Sequence, residues 1–204
     1  MIQTLFPTQI LTAQLSPAKS SLLKDLKKDT LKISEIDHDG QEWSEKNYLF
    51  GYTSYGSMDQ LHLFSSTFGE LKKKLDNHVA TYVKELGWDI SPSDLHLSKM
   101  WANVMPRGTI HTGHIHPLSV ISGTVYISLP KKNVPALKFE DPRFTQMMAT
   151  PPKKKNVPTK NLNFFNFIPK EGEVVLFESW LRHEVVQNNS DELRISISFN
   201  YDWT

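Results

Sequence analysis

The segment LRISISFNY at 193–201 constrains the fold most strongly. Leu193, Ile195, Ile197, Phe199 and Tyr201 alternate with Arg194, Ser196, Ser198 and Asn200, and a two-residue period sends the two sets to opposite faces of one strand. The apolar face needs a core. The polar face either meets solvent or turns into a barrel, and an arginine held inside a barrel needs an anion to pair with. A guanidinium followed two residues later by a hydroxyl can grip one carboxylate through charge-assisted hydrogen bonds.

The same period runs through Leu95, Leu97 and Trp101 and through Ile121, Val125, Ile127 and Leu129, with Tyr126 among the intervening residues; LNFFNFI and EVVLFES add two more short strands. Strands of this length, separated by Pro, Asn, Gly and Lys segments, predict a mainly β (α+β) chain built as a sandwich or jelly-roll barrel. Before residue 95 the spacing is helical. From Leu61 through Phe64, Phe68, Leu71, Leu75, Val79, Tyr82 and Leu86 apolar residues recur every three or four positions, and Gly87 stands where a helix should stop. Ser16-Pro17 has the form of a helix cap and first turn ahead of Leu22, Leu23 and Leu26. Lys72, Lys73 and Lys74 read as a solvated helix face. The expectation is one domain over 1–204, with residues 1–94 an N-terminal extension whose helices buttress a β core at 95–204. The stretch PPKKKNVPTK at 151–160 reads as a mobile surface loop, with a lid as the alternative.

With 23 basic and 22 acidic residues the formal charge is +1, so no non-specific attraction to nucleic acid or anionic membrane is expected. There is no cysteine, which leaves imidazole and carboxylate to hold any transition metal. In HTGHIHPLSVISG, His114 and His116 project to one side of an extended segment, and Pro117 favours that conformation at His116. His183, on a distant strand, could complete a three-point metal site. His111 is out of phase and should face away unless Gly113 bends the chain, which leaves it a supporting or substrate-contacting group. Trp101, Asn103, Arg107 and Arg143 are candidates for a substrate mouth, with core or surface roles as the plainer alternative. The opening MIQTLFPTQILTAQL lacks a basic leader and a continuous apolar run, so the expected location is a cytoplasm, bacterial or that of a phage-infected host.

The pieces LFPTQI, WAN at 101–103, HIHPLSVISGTVYISLP at 114–130, DPR at 141–143 and EGEVVLFESWLRHEVVQNNSDELRISISFNY at 171–201 carry a resemblance. In order and spacing they resemble a small uncharacterised group of 2-oxoglutarate- and iron-dependent oxygenases found in bacteria and phages. The resemblance implies a double-stranded β-helix core of the cupin-like, jelly-roll kind. It implies Fe(II) as metal, 2-oxoglutarate as co-substrate and O2 as oxidant. It places the metal on His114, position 116 and His183, and the distal carboxylate of 2-oxoglutarate on Arg194 and Ser196, with Tyr126 assisting. The wider superfamily has a carboxylate at the second ligand position; here that residue is His116. A Pro usual near the end of the EVVLFES segment is Glu178.

The expected activity is a 2-oxoglutarate-dependent dioxygenase, a hydroxylase in which decarboxylation of 2-oxoglutarate to succinate drives oxidation of a substrate. That substrate is a small molecule, a nucleotide or a protein side chain, with homodimerisation left open. Two other readings use the same residues. In one, a cupin-like three-His dioxygenase binds its substrate at iron without 2-oxoglutarate; in the other, a non-catalytic jelly-roll module carries a structural metal.

Overall fold

The structure, a computed structural model, describes residues 1–204 apart from the side chain of Pro92. In chain order the elements are β1 (Ile10–Gln14), α1 (Ser21–Ile36), α2 (His38–Asn47), β2 (Tyr52–Thr53), α3 (Leu61–Phe64), α4 (Ser66–Leu86), β3 (Leu95–Met105), β4 (His111–His114), β5 (Ile121–Ser128), β6 (Leu137–Glu140), β7 (Phe164–Phe167), β8 (Glu173–Glu178), β9 (His183–Val185) and β10 (Arg194–Trp203). The strands form a six-stranded sheet, β1-β8-β5-β10-β3-β2, and a four-stranded sheet, β4-β9-β6-β7, whose neighbours are antiparallel.

Alternation along β10 organises both layers. Ile195, Ile197 and Phe199 pack with Leu26 and Ile33 of α1 and with Phe68, Leu71 and Leu75 of α4. Each such side chain contributes about 1.5–3 kcal/mol when fully withdrawn from water. The opposite face of the same sheet carries Tyr126, Val175 and Phe177, which pack against Leu137, Phe139 and Val185 of the smaller sheet. The result is a jelly roll with helices against its larger sheet, as the strand periods predict. Tyr201 Oη donates to Asp76 Oδ1 at 2.7 Å, tying β10 to α4. The N-terminal segment supplies strands as well as helices, since β1 and β2 pair along the two borders of the larger sheet.

Two local expectations change. The first helix begins at Ser21, not at Ser16-Pro17: Lys19 takes a left-handed conformation (φ 65°), and Ser20 is the cap that accepts from Leu23 N at 3.3 Å. Ser16 instead shares a 2.8 Å hydrogen bond with the Ser20 hydroxyl. The run from Leu61 to Leu86 is split at Ser65, whose extended backbone (φ −147°, ψ 160°) divides α3 from α4. Gly87 does end the helix, in the left-handed conformation (φ 71°) that glycine adopts without a Cβ clash. The 151–160 segment is not among the residues that line the cavity described below.

Candidate active site

The cavity between the two sheets is lined by His111, His114, His116 and His183 and by Arg194 and Ser196. His114 closes β4, and His183 opens β9 directly across from it. The strand predicted to carry both His114 and His116 stops at His114. His116 follows on irregular backbone held by a hydrogen bond from its N–H to the Ser179 carbonyl (3.0 Å). Its ring still reaches the others: one ring nitrogen from each of His114, His116 and His183 lies within 4.8 Å of the other two. His116 Nε2 and His183 Nε2 are 3.3 Å apart. Two nitrogens each about 2.1 Å from one metal ion and at right angles would be about 3 Å apart.

Backbone carbonyls set the tautomers. A carbonyl only accepts, so His114 Nδ1–H donates to Thr112 O (2.7 Å) and His183 Nδ1–H to Leu181 O (2.8 Å). That leaves each Nε2 with its lone pair facing the cavity, the form a metal ligand needs. Burial, with the neighbouring imidazoles, pushes His111 and His116 down to about 3. Burial likewise holds His183 well below the ordinary range and lowers His114, against the Thr112 hydrogen bond. All four rings are therefore neutral at pH 7.

His111 does not face away. A register irregularity between His111 and His114 absorbs the odd residue and stacks its ring on His114 at 4.3 Å. Trp101 lies 5.8 Å from the His116 ring, and Asn103 lines the same cavity. Arg107 and Arg143 do not reach it; their guanidinium groups pair with Asp191 and Asp141 at 2.8 Å.

In the same cavity Arg194 is 2% exposed, yet no carboxylate pairs with it among the described residues. Its Nη1 donates to Ser196 Oγ (3.0 Å) and contacts Met105 Sδ (3.2 Å), while its Nε has no partner. The Tyr126 ring lies 5.2 Å from the guanidinium carbon, with its hydroxyl buried and unpartnered. A buried charge and a buried phenol in this condition call for an anion.

Residues 99–200, half of the chain, match the model of a family described as "Putative 2OG-Fe(II) oxygenase". The chain belongs to this 2OG-Fe(II) oxygenase family. As a 2OG-Fe(II) oxygenase it works with iron, 2-oxoglutarate and O2, for which neutral imidazoles and an unpaired buried arginine are suitable donors. No curated protein matches its sequence. Among solved structures it resembles HygX from Streptomyces hygroscopicus, crystallised with nickel and 2-oxoglutarate bound (12% identity, 97% of this chain and 84% of that one, TM-score 0.65). It also resembles a Pseudomonas putida prolyl-4-hydroxylase (13%, 97% and 94%, TM-score 0.65). A third likeness is to SnoN, a non-heme alpha ketoglutarate dependent epimerase from nogalamycin biosynthesis (12%, 96% and 76%, TM-score 0.63). At these identities the likeness is one of fold.

Several cavity residues carry no sequence signal that marks them, Thr124 and Tyr48 among them. Tyr48, just beyond α2, lines the cavity with Arg194 and meets His111 edge-on at 5.2 Å between ring centroids. No periodic pattern in NYLFGYTS marks it. Among the described residues, no helix is long and apolar enough to cross a membrane.

Proposed function

We propose that this oxygenase is a hydroxylase whose iron is held by three neutral imidazoles, those of His114, His116 and His183. The distal carboxylate of 2-oxoglutarate is then held by Arg194, Ser196 and Tyr126. One observation carries the reading: a buried guanidinium without a counter-ion shares a cavity with three imidazole nitrogens close enough to bind one ion. Iron bound there supplies O2 activation coupled to oxidation of 2-oxoglutarate to succinate and CO2, with the second oxygen atom entering a C–H bond of the substrate.

The protein's own part is placement and exclusion of water. The Thr112 and Leu181 carbonyls fix two ring orientations before any ligand arrives. Arg194 offers a charge that water cannot reach, and its hydrogen bond to Ser196 orients it. Leu137, Phe177 and Val185 form apolar cavity walls that limit solvent. Trp101 lines the cavity beside the His116 ring, where it would face substrate, whether small molecule, nucleotide or protein side chain, while Asn103 lies beside Ser196 and donates to Ser198 Oγ (3.1 Å).

Anaerobic addition of Fe(II) and then 2-oxoglutarate should produce a visible charge-transfer band, weakened by Arg194→Ala and abolished by His183→Ala. Air should then yield succinate. No band and no succinate would refute the proposal. Oxygen uptake that needs iron but not 2-oxoglutarate would favour direct substrate binding at iron.

A further inference from the structure

Several buried polar atoms around Arg194 lack a hydrogen-bond partner. Arg194 Nε, Tyr126 Oη and Tyr48 Oη are all buried, and none has a hydrogen-bond partner. Tyr48 is only 3% exposed and packs in one cluster with Tyr126 and Met105. The two phenols and the guanidinium N–H require lone pairs, and an ionised carboxylate offers about four such sites. Burial raises both phenols above their ordinary range, against the opposing charge of Arg194, so both stay protonated donors.

Tyr48 is also held in place independently of any ligand. Its N–H donates to Ser44 O (2.7 Å) and its carbonyl accepts from Gly51 N (3.0 Å). Gly51 runs so close to the phenol that a methyl group at that position would lie 2.6 Å from Tyr48 Cε1. The Ser44 hydroxyl in turn bonds to the backbone of Thr53 (3.0 and 3.3 Å), anchoring α2 to β2. Tyr48 lies outside residues 99–200 that match the family model, so this group comes from the N-terminal segment.

We propose that Tyr48 is a further co-substrate-binding residue, its phenol capping the distal carboxylate together with Arg194 and Tyr126 so that the site selects 2-oxo acids bearing a second carboxylate. This rests on the placement of 2-oxoglutarate proposed above. The test compares wild type and Tyr48→Phe, loaded anaerobically with Fe(II). Each is titrated with 2-oxoglutarate and with 2-oxovalerate, in which a methyl group replaces the distal carboxylate, while the charge-transfer band is followed. Loss of one hydrogen bond to a charged group should weaken 2-oxoglutarate at least about tenfold, leave 2-oxovalerate unchanged, and not lower the melting temperature of the co-substrate-free protein. Equal weakening of both acids would show a packing role and overturn the inference, as would an unaltered affinity for 2-oxoglutarate. Wild type giving no band with 2-oxoglutarate would instead overturn the underlying placement.

Discussion

Moving the metal-free protein from pH 7.5 to pH 5.5 should destabilise it sharply, because the fold keeps imidazoles neutral that the unfolded chain would protonate. His111 and His116 are held at about 3, against about 6.5 in an unfolded chain. The folded value is depressed, so the unfolded state binds the extra protons between those limits. Stability is then complete above about 6.5 and falls as the pH drops towards 3. At pH 5.5 each group contributes about 1.4 kcal/mol of loss, hence about 3 kcal/mol for the pair. His114 and His183 shift in the same direction and add to it. Urea unfolding in EDTA, followed by tryptophan fluorescence, would read this as a midpoint lower by about 1 M for a slope of about 3 kcal/mol per M. His111→Gln should remove about 1.4 kcal/mol of the pH-dependent difference. Equal midpoints at the two pH values would refute the reasoning, since they would mean that the imidazoles are already hydrated in the fold.

Arg194→Met should separate stability from function: without co-substrate the variant is as stable as wild type or more so, by about 1 kcal/mol in urea, because an unpaired buried charge is removed. Its 2-oxoglutarate affinity, read from the anaerobic band, should fall by about 100-fold or more. Leu71→Ala, at a fully buried contact between α4 and the larger sheet, should cost about 3 kcal/mol in unfolding free energy, and a cost below about 1 kcal/mol would show that the helices are not part of the core. Co(II) affinity, followed by its visible spectrum, should rise about tenfold when 2-oxoglutarate is present, since three neutral ligands leave the ion's charge uncompensated until the dianion arrives.

The sheet was legible because a strand buried on both faces by different chemistries leaves a clear record. Ile195, Ile197 and Phe199 had to meet a core, and Arg194 had to meet either water or an anion; the helices and the cavity satisfy these demands on opposite faces. Helix boundaries were less legible because they depend on single backbone conformations. Lys19 turns left-handed and Ser65 extends, and neither side chain advertises that choice. Strand phase failed at His111 for a related reason: a strict two-residue period sends it outward, and one irregularity before His114 brings it back.

The part of the site that sequence could not show is the part assembled across long separations. His114 and His183 face each other because β4 pairs with β9, and their spacing hinted at it. Tyr48 lines the same cavity as Arg194 because α2 docks on β2 through Ser44 and Thr53, residues with no shared period. What makes such a residue recognisable is an imbalance visible only in three dimensions. The hydroxyls of Tyr48 and Tyr126 and the Nε of Arg194 are buried without hydrogen-bond partners, and each would cost about 1–3 kcal/mol if nothing answered it. A fold that gathers several such groups in one place fits a state in which an anion is bound, and on the proposed placement of 2-oxoglutarate its distal carboxylate answers them.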